Sequence, residues 1–560
     1  MHGGSARDRL RAPADPVEVK VDRFVQHDVQ VFGLVVIVVL FAIVIVGTVA
    51  GRRYRVGPPV LLIGLGALLG LIPRFGHVRL DGEIVLLLFL PAILYWESLN
   101  TSFREIRANV RVIFLLSVGL VIASAVAVSW TARAFGMESH AASVLGAVLS
   151  PTDAAAVAGL AKRLPRRTLT VLRGESLIND GTALVLFGVA VSVAMGGAPV
   201  GPVDLTVRFI LSYLGGIAAG LLIGGVVTLI RYRLDAPQEE AALSLLTPFA
   251  AFLLANAIDC SGVVAVLVSA LMLAYVSPRV IRARSRLVSF AFWDIATFLI
   301  NGSLWVFVGV QIPSAIRGIS RVDGGVRHAV MLALAVTGVV IATRLIWGEC
   351  TTALVRTVDR REAQRARRVD WRQRLVSGWA GFRGAVSLAA AIAVPLTTNS
   401  GAPFPDRSLI IFVVTFVILT TVVVQGSTLP AIVRWARIPE DVAHADEIRL
   451  ARCHGAQAAL DALPLVAAEF GVSDDLENRL QSEYRQHAAL VRLGDDGSTP
   501  ADAEVKSDLI RQVRLGVLEH KRRAITELRD QRRIDDIVLL ELQESMDLEE
   551  ARLLGPSSPD

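Results

Sequence analysis

The sequence is poor in charged residues and in cysteine. Asp, Glu, Lys and Arg make up 19% of the 560 residues, against roughly 25% in soluble globular domains. Three cysteines in a chain of this length do not form a disulfide framework. No Walker A motif is present, so ATP-driven chemistry has no support. The nine histidines do not cluster, and neither a zinc nor a haem site is indicated.

Apolar residues are in excess. They make up 53% of the chain, and the mean hydropathy is +0.55. One soluble core would not absorb this excess, because chains beyond about 250–300 residues split into domains. A helix of about 20 apolar residues, rising 1.5 Å per residue, crosses a roughly 30 Å hydrocarbon core. The sequence therefore predicts an all-α polytopic membrane protein.

The apolar runs predict about thirteen transmembrane helices. They lie near residues 29–50, 57–73, 82–98, 111–132, 140–161, 171–196, 206–230, 240–258, 261–277, 288–312, 328–349, 377–396 and 408–434. An odd total permits two inverted six-helix repeats separated by one spacer helix, which is a common transporter plan.

Basic residues alternate between successive loops. Loops after odd-numbered spans are rich in them, for example Arg52, Arg53 and Arg55 after the first span. Loops after even-numbered spans hold far fewer. The net charge of +6 therefore reports membrane topology, with the C-terminus cytoplasmic and the N-terminus outside.

Three regions follow from the composition. Residues 1–28 are a polar N-terminal extension without a signal-peptide pattern, and residues 29–437 are the transmembrane domain. Residues 438–560 are charged and helix-prone, with apolar residues such as Leu539, Leu540 and Leu542 at helical spacing and a linker at 493–503. This cytosolic tail is either a plain solvated helical segment or a regulatory or dimer-contacting one.

The fifth span contains the segment VLSPTDAAAVAGL. Pro151 removes a backbone donor and frees carbonyl groups, and Thr152 and Asp153 follow directly. Carbonyls and a carboxylate suit a hard alkali cation. The alternative is an ordinary proline kink with Asp153 as a helix cap.

The sixth span contains the segment GESLINDGTALVLF. Glu175 and Asn179 share one helix face, and Ser176 and Asp180 share the adjacent one. Ionisable groups inside a membrane span are costly and are functional candidates by default. The alternative is interhelical hydrogen bonding without ion binding.

Asp153 and Asp180 each lie about nine residues from the cytosolic ends of their spans. At 1.5 Å per residue both sit about 14 Å deep, near the bilayer midplane. Two carboxylates from neighbouring antiparallel helices can therefore meet where transporters place coupling-ion sites.

Two arginines also fall inside predicted spans. Arg344 and Arg383 each need a carboxylate or free carbonyls, and Glu175 is the natural partner for one of them. Glycines at 381 and 384 bracket Arg383 and indicate a second broken helix, matching the break at Pro151. The alternative is that Arg383 snorkels to the cytosolic surface.

Weaker polar candidates lie in three other spans. Glu97 ends the third span, Asp294 and Asn301 lie in the tenth, and Gln425 and Ser427 lie in the thirteenth.

Several segments resemble the monovalent cation:proton antiporter-1 family, the sodium/proton exchanger and NhaP-like group. The resemblance covers roughly residues 30–437. It is carried by SPTDAAAV followed by GESLINDGTALVLF, and by LLLFLPAILYWESLNTSFREIRAN, SGVVAVLVSALML, FWDIATFLINGSLWVFVGVQIP, WAGFRGAVSLAAAIAVP and VVVQGSTLPAIVRW.

The resemblance implies a thirteen-span homodimer with a mobile core domain and a dimer domain. It implies that spans five and twelve are unwound and cross near the ion. Asp180 would then carry the cation or the proton, aided by Asp153, Thr152, Ser176 and Asn179.

The same resemblance implies that Glu175 forms a structural ion pair with Arg344. Family members place an acid in the third span directly after a Phe, five residues past the proline. Trp96 stands there in this chain, and Glu97, which follows it, is a possible ion gate.

The residues and the resemblance together predict a secondary transporter in the cell membrane, not an enzyme. We expect it to exchange Na⁺ or Li⁺ for H⁺ by alternating access, in support of pH and sodium homeostasis. Asn179 cannot titrate, which favours electroneutral 1:1 exchange. We expect no cofactor besides the transported ions, and we expect lipid and a second copy as partners, without nucleic acid. The nearest alternative is K⁺/H⁺ exchange. An aspartic intramembrane protease, a cation channel and a transport-inactive sensor are more distant ones.

Overall fold

We describe the protein from a computed structural model. Isolated residues nearer the C-terminus, such as Leu518 and Met546, are also described. The continuous stretches that the structure describes are residues 16–54, 56–76, 82–101, 103–153, 166–197, 201–234, 236–281, 283–319, 325–358, 370–438, 457–471 and 473–492.

The first half of the transmembrane region is helical throughout its described residues, apart from short connections. Its helices are α1 (Pro16–Tyr54), α2 (Pro58–Leu71), α3 (Pro73–Gly76), α4 (Gly82–Leu99), α5 (Phe103–Phe114), α6 (Leu120–Ala134), α7 (Ser139–Val148), α8 (Arg166–Ala194) and α9 (Pro202–Arg231). Helix α1 begins at Pro16, so residues 16–28 of the polar extension continue into the first apolar run.

The second half is built in the same way. Its helices are α10 (Pro237–Ala257), α11 (Gly262–Val280), α12 (Ala283–Ile319), α13 (Gly325–Val358), α14 (Trp371–Trp379), α15 (Ala385–Ile392), α16 (Arg407–Thr420) and α17 (Gly426–Ala436). Within the described stretches, β pairing is limited to one isolated bridge between Thr397 and Pro403.

Eight helical segments of the described chain are long and apolar enough to cross a membrane. They are Gly33–Tyr54, Phe103–Ala134, Thr168–Ala194, Val203–Arg231, Pro237–Ala257, Ser285–Ile319, Gly325–Thr357 and Arg407–Ala436. Shorter apolar helices lie at Pro58–Leu71, Leu87–Leu99, Ser139–Val148 and Gly262–Ser277. The described residues are thus almost entirely helical, as predicted, with eight candidate membrane spans. The count of thirteen spans and the inverted repeats stay predictions.

Two of the long segments contain a wide helical turn. A π-helical turn at Leu115–Gly119 joins α5 to α6, and another at Thr421–Gln425 joins α16 to α17. Such turns shift the register of a helix and are frequent at functional sites. The second turn lies beside the non-helical residues 380–384, because the Thr421 hydroxyl accepts a hydrogen bond of 3.4 Å from the Arg383 amide.

The buried apolar side chains form two main clusters. The larger cluster joins α1, α2, α6 and α7 to α12, α13, α15 and α16. The other joins α4, α8 and α9 to α10, α11 and the Trp293 region of α12. The candidate site draws on helices of both clusters. Helices α7 and α15 pack in the larger one, and α4 and α8 pack in the other.

Small residues allow close helix packing, which is how membrane helices associate in the absence of a hydrophobic driving force. A Cβ at Gly66 would overlap the Val306 carbonyl, and one at Gly309 would overlap the Ile63 carbonyl. Helices α2 and α12 therefore touch backbone to backbone.

Residues Pro439–Asp560 form a separate compact unit. Its described helices are α18, over residues 457–469, and α19, over Asp474–Arg492. The predicted linker at 493–503 and the apolar residues Leu539, Leu540 and Leu542 lie outside the described residues.

Candidate functional site

Helix α7 ends at Val148, and residues 149–153 are not helical. Pro151 stands in this segment and has no amide proton to donate. The carbonyls of Ser150 and Pro151 accept hydrogen bonds from Nη1 of Arg383, at 3.0 and 2.5 Å. A buried guanidinium thus satisfies the backbone acceptors that the break sets free.

A second break separates α14 from α15, at residues 380–384. The two broken segments cross, because the Asp153 amide donates a hydrogen bond of 2.9 Å to the Phe382 carbonyl. A Cβ at Gly384 would overlap the Asp153 carboxylate. Glycine at 384 is therefore what allows the two segments to approach this closely.

Glu175 of α8 is the centre of a buried hydrogen-bond network. Arg344 of α13 donates to both of its carboxylate oxygens, Nη1 to Oε1 and Nη2 to Oε2, the latter at 3.1 Å. The Thr152 hydroxyl donates to Oε1 at 2.9 Å. Asn179 donates from Nδ2 to the Thr152 hydroxyl at 2.8 Å and to its carbonyl at 3.1 Å. This network ties the first broken segment to α8 and α13.

Arg383 does not pair with Glu175, and it does not reach the surface. Its exposed fraction is 1%, and Nη1 is bound to the carbonyls of the first break. The snorkelling interpretation of Arg383 is therefore wrong. Free carbonyls rather than a carboxylate accept its hydrogen bonds.

A cavity of about 90 Å³ lies beside the crossing point. Three carboxylates line it, those of Glu97, Asp153 and Asp180, and none of the described residues around it is basic. Its other lining residues are Pro59, Leu90, Ile93, Leu94, Pro151, Thr152, Ser176, Asn301, Leu304, Trp305, Gly384, Val386 and Ser387. Water occupies roughly 30 Å³ per molecule in the liquid, so the cavity has room for a small cation with part of its hydration shell.

The carboxylates surround the cavity without converging on one point. Within the described residues, no group of three His, Cys, Asp or Glu lies close enough together to hold a metal ion as a fixed centre. Asp180 is 7% exposed and Asp153 is half-buried. Oxygen ligands of this kind suit alkali cations, which are hard ions.

Glu97 lines this cavity although it stands one residue later than the related acids. Ser176 lines it as well. Asn179 is not among the lining residues and instead donates a hydrogen bond to the Thr152 hydroxyl. The proposed ligands thus separate into two layers. Glu97, Asp153, Asp180, Thr152 and Ser176 face the cavity, and Asn179, Glu175 and Arg344 support that layer.

Ser387 was missed by the sequence reasoning. It lies on α15, lines the cavity and is buried, and its hydroxyl has no hydrogen-bond partner within the described part of the chain. The signal that could have found it is its position three residues past Gly384, in the first turn after the second break. A broken helix presents its first turn to the ion.

The weaker candidates divide in the same way. Asn301 lines the cavity. Asp294 does not, and its side chain is exposed on the surface of α12. Gln425 is buried in the second π-helical turn, and Ser427 donates to the Val424 carbonyl at 3.2 Å.

Residues 35–435 match the model of a family described as "Sodium/hydrogen exchanger, transmembrane". The chain belongs to the sodium/hydrogen exchanger family. This match covers most of the chain and confirms the resemblance found in the sequence. It identifies a transporter rather than an enzyme, embedded in a membrane.

Relatives support the same family. An uncharacterized Na⁺/H⁺ exchanger of Mycobacterium tuberculosis (strain ATCC 25618 / H37Rv) is 70% identical over 538 residues, which cover 96% of this chain and 99% of that one. A sodium, potassium, lithium and rubidium/H⁺ antiporter of Bacillus subtilis (strain 168) is 30% identical, over 70% of this chain and 60% of that protein.

A solved structure shares the fold. The sodium proton antiporter MjNhaP1 from Methanocaldococcus jannaschii, determined at pH 8, aligns with a TM-score of 0.54. The alignment covers 72% of this chain and 98% of the other, at 17% sequence identity.

Proposed function

We propose that this exchanger carries Na⁺, or Li⁺, in one direction across the cell membrane and H⁺ in the other, by alternating access. One observation carries the proposal. Three carboxylates line a small cavity at the point where two non-helical segments, residues 149–153 and 380–384, cross. Broken helices that meet around a buried acid are the usual architecture of a coupling-ion site.

Coupling follows from competition for Asp180. Its carboxylate holds a proton or, after losing it, a cation, but not both at once. Either occupant neutralises the group, which lowers the cost of moving it past an apolar barrier. An empty carboxylate carries an uncompensated charge and does not move cheaply, so leak is suppressed. Asp153, Thr152 and Ser176 supply further oxygens, and Glu97 acts as a gate.

The exchange is proposed to be electroneutral, one cation for one proton. The neighbour of Asp180 is Asn179, which has no titratable proton, and its Nδ2 is already bonded to the Thr152 carbonyl and hydroxyl. Of the adjacent residues 179 and 180, Asp180 is then the one that both titrates and binds the cation during the cycle.

The finer architecture belongs to the same proposal. We infer thirteen spans arranged as two inverted repeats, with the N-terminus outside and residues 438–560 in the cytoplasm as a regulatory or dimer-contacting tail. The alternation of basic loops supports this orientation. A homodimer is the inferred assembly. We propose that the exchanger lies in the cell membrane and serves pH and sodium homeostasis.

K⁺/H⁺ exchange is the second candidate, because the name of the Bacillus subtilis relative includes potassium. Oxygen ligands alone do not separate the alkali cations. The choice is tested by dye-quench antiport in inside-out vesicles, with Na⁺, Li⁺ or K⁺ added after a proton gradient is set. Dissipation by Na⁺ and Li⁺ supports the main proposal, and dissipation by K⁺ alone replaces it with the second candidate. If no cation acts, antiport itself is contradicted.

A further inference from the structure

A second cavity, of about 390 Å³, lies away from the carboxylates. It is formed where α9, α11 and α4 end and where α10 and α12 begin. Its lining residues are Tyr95, Leu99, Arg231, Ser244, Leu273, Ala274, Ser277, Ile281, Arg286, Ser289, Phe290 and Trp293. Sites that bind small molecules have volumes of about 300–1,000 Å³ and combine apolar walls with a few polar groups, and this cavity has both properties.

Arg231 is the unusual member of the lining. It is the last residue of α9, its exposed fraction is 6%, and its Nε has no hydrogen-bond partner among the residues that the structure describes. Among the described residues it forms no ion pair either, and no Asp or Glu lines the cavity. A buried guanidinium without a counter-charge is expensive. The described chain therefore provides no anion to pair with the Arg231 guanidinium.

Glu240, the buried acid nearest to Arg231 along the described chain, does not meet this need. It is 2% exposed, and neither of its carboxylate oxygens has a hydrogen-bond partner within the described residues. It lies in the first turn of α10, and it is not among the residues that line the cavity.

The rest of the lining is rich in hydrogen-bond donors. Arg286 contributes a second guanidinium and is held in place by donation from Nη1 to the Ile281 carbonyl at 3.2 Å. Ser244 is bound to Trp293 Nε1 at 3.0 Å and to the Tyr95 hydroxyl at 3.4 Å. Two guanidiniums beside several hydroxyls are the chemistry that recognises phosphate.

We propose that this cavity binds a phosphate group, with Arg231 and Arg286 as its cationic ligands. The source is the headgroup of an anionic phospholipid or free phosphate. Basic pockets between the ends of membrane helices are established sites for phospholipid headgroups. The apolar walls, Leu273 and Phe290 among them, suit the acyl chain of a phospholipid.

Occupancy of this site has a consequence for transport, and that consequence rests on the proposed function. Helix α4 separates the two cavities. Its residues Tyr95 and Leu99 line the phosphate pocket, and its residues Leu94 and Glu97 line the carboxylate cavity. An anion bound on one side of α4 therefore stabilises the position of Glu97 on the other.

The test measures binding and not transport, so its result is independent of the antiport proposal. Purified full-length protein is titrated with dioctanoyl phosphatidylglycerol, with inorganic phosphate and with dioctanoyl phosphatidylcholine. Thermal melting and native mass spectrometry are the readouts. Phosphatidylglycerol should raise the melting temperature of the wild type and remain bound in the spectrometer. An equal effect of inorganic phosphate identifies the free ion as the source.

Arg231→Gln should weaken that binding about tenfold or more, since it removes a charged hydrogen-bond donor. Arg233→Gln is the matched control, because Arg233 lies two residues further along the chain, in the connection after α9, and is exposed. This variant should bind as the wild type does. Ala274→Phe fills the cavity from its wall and should also abolish binding, which keeps the test valid if Arg231→Gln does not fold. The proposal is overturned if the wild type binds neither phosphatidylglycerol nor inorganic phosphate. It is also overturned if Ala274→Phe or Arg231→Gln binds them as well as the wild type does.

Discussion

The backbone amide of Asp153 donates a hydrogen bond of 2.9 Å to the carbonyl of Phe382. This bond joins the break after α7 to the break before α15. The position of the Asp153 carboxylate is therefore set by the backbones of two interrupted segments. The proposed cation ligand is therefore held by the crossing itself, and motion of either segment would move it.

The Glu175–Arg344 pair should be the costliest interaction to break in the network. Both side chains are buried, at 1% and 7% exposure, and removal of one partner leaves the other charge uncompensated. We expect Glu175→Gln to cost about 3–5 kcal/mol of stability, measured as a fall in melting temperature in detergent.

The matched control for that variant is Glu349→Gln. Glu349 pairs with Arg374 at 3.0 Å, but the Glu349 side chain is 58% exposed. An exposed pair is worth about 0–1 kcal/mol, so the melting temperature should change little. Equal losses in the two variants would show that Glu175 is not a structural anchor.

Gly384→Ala should abolish transport while Gly338→Ala leaves it intact. A Cβ at 384 would overlap the Asp153 carboxylate, whereas one at 338 meets nothing within 4 Å. Vesicle antiport checks both variants at matched protein levels. Normal transport by Gly384→Ala would mean that Asp153 does not need its position at the crossing.

Much of the site was predictable because its residues are chemically out of place in an apolar helix. Pro151 indicated the first break, and the glycines at 381 and 384 indicated the second. The described chain is non-helical at residues 149–153 and again at residues 380–384. Depth arithmetic could not decide which arginine pairs with Glu175. Depth depends on the distance along a helix, whereas pairing depends on helix rotation and on neighbours far away in sequence.

Ser387 shows the second limit of the sequence. A serine in an apolar helix is ordinary, because its hydroxyl commonly bonds to a backbone carbonyl of its own helix. Only the packed structure shows that the Ser387 hydroxyl lines the cavity without such a partner in the described chain.

Thr152→Val should weaken cation binding, since the Thr152 hydroxyl both donates to Glu175 and accepts from Asn179. Loss of these bonds leaves buried polar groups unsatisfied, at a cost of about 1–3 kcal/mol. We expect a higher KM for the cation in vesicle antiport.

Thr337→Val is the control for that change. Thr337 is also buried, but its hydroxyl donates within its own helix, to Ala333 at 2.7 Å. Its KM should stay at the wild-type value. A similar rise in both variants would trace the effect to helix packing and not to the network.

Transport should not respond to membrane voltage. A net charge moved across 100 mV gains or loses about 2.3 kcal/mol, which would change the exchange rate visibly. Proteoliposomes with a potassium diffusion potential set by valinomycin provide the measurement, with Na⁺ as the transported ion. Rates that are equal at both polarities support one-for-one exchange, and a polarity-dependent rate would contradict it.

The central claim is that one carboxylate, that of Asp180, holds either the proton or the cation. The direct measurement is proton release when Na⁺ is added to purified protein in weakly buffered detergent solution, for wild type, Asp180→Asn and Asp294→Asn. Asp294 is a matched control, since it is an exposed carboxylate within another long helix. The account predicts about one proton released per cation bound by the wild type and by Asp294→Asn, and none by Asp180→Asn. Wild-type release from Asp180→Asn would contradict it.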